Sequence, residues 1–224
     1  MPRFVMPPAV CLACEAEVFA CAILHTETFV NSNVLVVFEY EHFVRELIVR
    51  AKTKNDIVAM GFILKFMGHC AQDVVRNYDV SSTLVVPAPP SFWGRVRGRF
   101  DLAQMASLAL FSRADVFTGA LPGSLFRGKR AGRNIENSRK NNAALKSLSN
   151  FNTTKEMGDL LKRISRAERV LVVDDVMTTG FTMKTLIDQL KLLGALSVDG
   201  LVIASSACGG LIDELNDELN DELN

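Results

Sequence analysis

Two adjacent carboxylates, Asp174 and Asp175, stand just before the run Thr178-Thr179-Gly180-Phe181-Thr182. Carboxylates accept hydrogen bonds from vicinal hydroxyls such as those of a ribose. A loop of hydroxyl residues and glycine that enters a helix offers free backbone N–H groups, and the helix dipole adds positive potential. Gly180 permits positive φ and close approach of an anion. The chemistry these residue types suit is recognition of a sugar phosphate: hydroxyls on the acid pair, phosphate on the loop. A plain βα turn capped by Thr182 accounts for Thr182 and Gly180. It leaves unexplained two like charges abutting an apolar strand, where their repulsion costs energy.

The elements that must position these residues can be read on either side. Val170-Leu171-Val172-Val173 is a short apolar run rich in β-branched residues, as expected of a strand covered on both faces of a parallel sheet. Ligands of open α/β sheets bind at the carboxyl ends of such strands. Leu186, Leu190 and Leu193 then recur at helical spacing up to Gly194. Upstream, 34–40 reads as a strand, and 41–52 as a helix with Phe43, Val44, Leu47, Ile48 and Ala51 on one face. A second helix is expected over 56–77 and a second buried strand over 82–86. That strand runs into Pro87-Ala88-Pro89-Pro90, which forces a fixed turn. Arg95, Arg97 and Arg99 follow at alternate positions. Guanidinium groups at a ligand edge suit pyrophosphate, whose oxygens they bind in a fork; the other reading is a solvated basic loop. Asp101 caps a helix expected to run to Arg113. One or two short strands are expected within 116–126, a basic polar loop over 127–142, a helix over 153–165 and a buried strand over 198–204.

The chain has 224 residues, 49% of them hydrophobic, enough for one α/β domain with an extension. Its 25 basic and 25 acidic residues balance, so no global affinity for polyanions follows. No apolar run is long enough to span a membrane, and the N-terminus makes a poor signal peptide. Five unevenly spaced cysteines suit a reducing compartment, and the expected location is the cytoplasm. Within the N-terminal segment, Cys11, Cys14, Cys21 and His25 include enough ligands for a tetrahedral zinc site. The gap between the two pairs is shorter than in usual zinc ribbons, and an apolar cysteine segment is the alternative. Residues 213–224 are three copies of Asp-Glu-Leu-Asn, a composition expected to form a disordered acidic tail.

The run Val172-Val173-Asp174-Asp175-Val176-Met177-Thr178-Thr179-Gly180-Phe181-Thr182 resembles the phosphoribosyl-pyrophosphate (PRPP) signature of type I phosphoribosyltransferases. The resemblance implies an α/β fold: a type I phosphoribosyltransferase-like parallel sheet flanked by helices, with a small N-terminal extension. It implies that Asp174 and Asp175 hold the ribose hydroxyls and that Met177, Thr178, Thr179, Gly180, Phe181 and Thr182 wrap the 5′-phosphate. Ala88, Arg95, Arg97 and Arg99 would then face the pyrophosphate, with Mg²⁺ as the accompanying cation. A second feature is similar to the competence protein F (ComF, GntX-like) family. There a Tyr-x-x-x-Val-Arg-x-Leu-Ile helix runs into a Lys-containing turn, matched here by Tyr40, Val44, Arg45, Leu47, Ile48, Lys52 and Lys54. That family's Arg-Gly-Phe-Asn stands here as Gly98-Arg99-Phe100-Asp101, with two residues transposed and Asp for Asn.

The expected organisation is a Cys-containing segment 1–33, a transferase-like domain 34–208 and an acidic tail 209–224. Two functional readings remain open. One is an enzyme that transfers phosphoribosyl from PRPP to an unknown acceptor base, with a link to DNA uptake and a homodimeric state. The other is a sensor of PRPP or a nucleotide, or a factor that binds single-stranded DNA beside the uptake machinery.

Overall fold

The computed structural model describes residues 12–29, 31–71, 75–76, 78–89, 100–119, 121 and 155–206. In chain order the elements are α1 (Leu12–Ala20), β1 (Ala22–Phe29), β2 (Ser32–Glu39), α2 (His42–Lys54), α3 (Ile57–Cys70) and β3 (Thr83–Pro87). Then come α4 (Leu102–Leu110), β4 (Asp115–Val116), α5 (Lys155–Ile164), β5 (Arg169–Met177), α6 (Phe181–Leu192) and β6 (Val198–Ser205). The strands form one six-stranded sheet in the order β1-β2-β6-β5-β3-β4. Every pairing from β2 to β4 is parallel, and β1 adds an antiparallel edge to β2.

The expected parallel sheet flanked by helices is thus present, and its core follows from the apolar runs. Val170 to Val173 are all buried on β5, the strand between β3 and β6. Alternate residues serve two helical layers. Leu35, Val37, Val85, Leu171 and Val173 pack with α1, α2, α3 and α4. Val34, Val36, Leu84, Val86, Val170 and Val172 pack with α5 and α6. On α2 the buried residues Val44, Leu47, Ile48 and Ala51 are the expected stripe. Asp56 caps α3 by accepting from the Val58 and Ala59 N–H groups, both at 3.0 Å.

The strand order sets where a ligand can enter. β3 connects through α4 outward to β4, whereas β5 connects through α6 in the opposite direction to β6. The direction of winding therefore reverses between β3 and β5, and the crevice outside their carboxyl ends is the topological switch point of the sheet.

Several expected boundaries moved. The strand read as 170–173 extends through Asp174 and Asp175 to Met177, because Asp174, Val176 and Met177 keep their ladder with β6. Helix α3 ends at Cys70, well short of Asn77. β1 lacked a strand signal: His25, Thr26 and Thr28 are exposed, as befits a sheet edge. The arginine run 95–99, the loop 127–142 and the tail 213–224 lie outside the described residues.

At Gly200 on β6, an added Cβ would stand 2.9 Å from Met183 Sδ on α6 and 2.9 Å from Val34 Cγ2 on β2. The missing side chain lets α6 sit close to the sheet. Gly200→Ala is expected to overpack this contact, at a cost of about 1–3 kcal/mol. For a chain of this size that lowers Tm by roughly 2–10 °C. A calorimetric melt checks it, and an unchanged Tm would contradict the close packing.

Candidate functional site

The site assembles at the carboxyl end of β5 from four stretches far apart in sequence. Asp175 is the focus. Lys52 near the end of α2 donates from Nζ to Asp175 Oδ1 at 2.9 Å, across 123 positions of chain. The Asp175 carboxylate is largely covered, at 17% exposure, and the Lys52 side chain is 38% exposed. Lys52 reaches Asp175 from the layer that contains α2.

Lys52 is held there by the way α2 stops. Asn55 takes the left-handed conformation, φ 51° and ψ 38°, in which Asn is tolerated better than most side chains. Its Oδ1 accepts from the Phe100 N–H at 3.1 Å, tying the end of α2 to the segment entering α4. Arg50 donates to Asp56 Oδ2 from Nη2 at 2.6 Å and from Nε at 3.0 Å, bracing the same turn. These bonds and the adjacent α3 cap hold the Asp56 carboxyl below its ordinary pKa, the cap bond from Ala59 first among the causes.

Asp101 caps α4 by accepting from the Gln104 N–H at 2.9 Å. It also stands within electrostatic reach of Asp175 and Lys52. Burial first, and the Asp175 charge after it, raise its pKa. Asp174 accepts from the Asp175 N–H at 2.8 Å through Oδ1. Part of its surface is open, but protein surrounds it on most sides. Burial, then the neighbouring Asp175 charge, push its pKa up to about 7 against the pull of Lys52. Lys52 is in direct contact with Asp175 alone, and a proton on Asp174 relieves the repulsion within the acid pair near neutral pH.

The loop after β5 has the expected character. Gly180 has φ 66° and ψ −1°, the left-handed region that favours glycine, and is buried. It is the N-cap of α6, a position read from sequence as Thr182. Its carbonyl accepts from the Lys184 N–H at 2.8 Å, the first turn of the helix. That turn carries no acidic residue, so the helix's unpaired N–H groups and positive end are uncompensated by charge. Thr178, Thr179, Phe181 and Thr182 are exposed around it, and Met177 is buried beneath. The Met177 carbonyl accepts from the Ser206 N–H at 3.0 Å, fixing the base of the loop against the end of β6.

The other expected site residues are only partly described. Ala88 lies at the end of β3, buried, with its N–H donated to Val173 O at 2.7 Å. Its amide is therefore committed to the sheet. Arg95, Arg97, Arg99 and Cys11 lie outside the described residues, as does the side chain of Cys14 on α1. Cys21 is a free thiol buried in the core, and burial raises its pKa. His25 is exposed on β1. Among the described residues, no three or more His, Cys, Asp or Glu side chains form a group able to hold a metal ion.

Lys52 and Asp101 are the site members that sequence reasoning passed over. Asp101 was legible only as a cap. Lys52 carried one usable signal, its place in the Lys-containing turn after an amphipathic helix.

The raised pKa of Asp174 has a defined consequence for stability. Its folded value lies above the ordinary 3.8, so the folded state holds the proton more tightly than the unfolded state. Stability is lost as pH rises from about 4 through about 7, where the group is forced to ionise. Asp174→Asn keeps an acceptor for the Asp175 N–H and removes that cost. The variant is expected to melt several degrees above the parent at about pH 8, the gap shrinking toward about pH 4. Melts across pH check this; a gap independent of pH would contradict it.

A family model described as phosphoribosyl transferase domain matches residues 128–217, a span that includes α5, β5, the Thr/Gly loop, α6 and β6. No curated protein matches the chain. The match supports the type I phosphoribosyltransferase superfamily for the part of the chain that carries Asp174, Asp175 and Gly180.

Proposed function

We propose that this chain binds PRPP at the carboxyl end of β5 and acts as a phosphoribosyltransferase. The observation that carries the reading is the juxtaposition on one strand–loop–helix of a hydroxyl-accepting acid pair and an uncompensated helix N-terminus capped by left-handed Gly180. Asp174 and Asp175 accept the ribose hydroxyls. The N–H groups opening α6, with the hydroxyls of Thr178, Thr179 and Thr182, take the 5′-phosphate. The same loop lies within the matched span of the phosphoribosyl transferase domain.

Mg²⁺ fits this donor set. It takes hard oxygen ligands, commonly one or two carboxylates together with substrate phosphates and waters, and two carboxylates stand beside the loop. When bound, it supplies neutralising charge to the diphosphate. The chain's own contribution is orientation. The loop fixes one end of the sugar and the acid pair fixes its ring, so C1 is presented at a set angle to an acceptor. Stabilisation of departing pyrophosphate by preorganised positive groups supplies the remainder.

Tyr40, Val44, Arg45, Leu47, Ile48, Lys52 and Lys54 lie on or beside α2 and match the helix and turn of the competence protein F family. They support the narrower reading of a ComF-like protein working in the cytoplasm beside DNA uptake, with an acceptor base that the residues do not identify. A binding-only reading, a PRPP sensor, has one observation in its favour. Thr178 at the first loop position carries a hydroxyl, not a group that ionises near neutral pH, so it offers no general base there.

Release of pyrophosphate from PRPP with Mg²⁺ and a panel of free bases separates the two readings. Base-dependent release is expected; saturable PRPP binding without release for any base would favour the sensor. Gly180→Val is expected to abolish PRPP binding while leaving the circular dichroism spectrum intact, because a β-branched residue resists positive φ and crowds the anion. Retained affinity in a folded Gly180→Val protein would count against the phosphate cradle.

A further inference from the structure

The acid pair stands between two groups suited to anions, on opposite faces of the sheet. The opening of α6, with Gly180, belongs to the layer formed with α5. Lys52 arrives from the other layer, at the end of α2. An ammonium has three donors, and Lys52 directs one of them to Asp175 Oδ1 at 2.9 Å. Its side chain is 38% exposed where it meets Asp175 at the carboxyl end of β5. The turn that holds it is braced twice, by Asn55 to Phe100 and by Arg50 to Asp56.

A ribose held by its hydroxyls on Asp174 and Asp175, with its 5′-phosphate on the α6 loop, directs its C1 substituent away from that loop. The 2-hydroxyl is bonded to the carbon next to C1, so a group on C1 lies beside whatever neighbours the acid pair. On the side away from α6 that neighbour is Lys52.

We propose that Lys52 is a ligand-binding residue of this site, whose ammonium grips the diphosphate on C1 of the sugar while keeping its bond to Asp175. The inference rests on the PRPP reading above. It assigns Lys52 the recognition of the anhydride-linked phosphates, so the residue distinguishes a 1-diphosphorylated pentose phosphate from the same pentose phosphate without them. Its bond to Asp175 holds the ammonium at the carboxyl end of β5 rather than letting it swing into solvent. A lysine that only braces Asp175 would touch hydroxyl recognition alone, which both sugars share.

Calorimetric titration of PRPP and of ribose 5-phosphate, each with Mg²⁺, into the full chain and into Lys52→Met tests it. Lys52→Met is expected to weaken PRPP roughly tenfold to a hundredfold, the loss of a charged hydrogen bond. Ribose 5-phosphate affinity is expected to change by less than about threefold, and Lys52→Arg to recover most of the PRPP affinity. Should Lys52→Met not fold, as judged by its melt, Lys52→Gln carries the same comparison. An equal loss for both sugars would overturn the assignment and make Lys52 a brace for Asp175. No loss for either would overturn it too. Failure of the unmodified chain to bind PRPP would overturn the PRPP reading itself, and this inference with it.

Discussion

Two negative charges placed side by side at the end of a buried strand are the constraint on which the rest of the structure turns. Left alone they repel, and the sheet around them is apolar. Three features offset that cost. Lys52 neutralises Asp175 directly. The Asp175 N–H stabilises the Asp174 carboxyl oxygen. A proton on Asp174 near neutral pH removes one charge altogether. For Lys52 to be there, α2 has to end where it does. That end depends on Asn55 in the left-handed region and on the bonds that pin it to Phe100 and Asp56. An arrangement that costs this much and engages three distant stretches of chain is hard to account for by stability alone, since an apolar pair would pack there without it. Strained electrostatics of this kind cluster at functional sites.

The sheet topology adds the second half of the argument. Winding reverses between β3 and β5, and the acid pair and Gly180 lie at the end of β5. One helical layer brings an anion-accepting helix start to this point, and the other brings a cation and the Asp101 carboxyl. A ligand with hydroxyls in the middle and phosphates at both ends matches that sequence of groups. The matched phosphoribosyl transferase domain covers the β5 loop, and α2, β3 and α4 complete the site from outside the matched span.

Much of this was legible in the sequence, for identifiable reasons. The central strand, its loop and the helix after it are specified locally: β-branched residues, then acids, then Thr and Gly, then leucines at helical spacing. α2 and the α4 cap at Asp101 likewise follow from short-range patterns. What escaped was long-range or lay at an edge. The Lys52–Asp175 bond joins residues 123 positions apart, and no periodicity announces it. The strand was read as ending at Val173 because charge normally marks a strand's end, whereas the ladder with β6 carries the backbone on to Met177. The αL position of Gly180 displaced Thr182 as the helix cap, a choice made by backbone conformation more than side-chain type. β1 was missed because an edge strand exposes polar residues on an ambiguous stretch.

The most direct test of the central claim is calorimetric titration of PRPP into the unmodified chain with Mg²⁺, beside Asp175→Asn. The account predicts saturable binding by the unmodified chain and affinity roughly tenfold to a hundredfold weaker in the variant, as expected for loss of a hydrogen bond to a charged group. No detectable heat with the unmodified chain, or equal affinity in the two proteins, would contradict it.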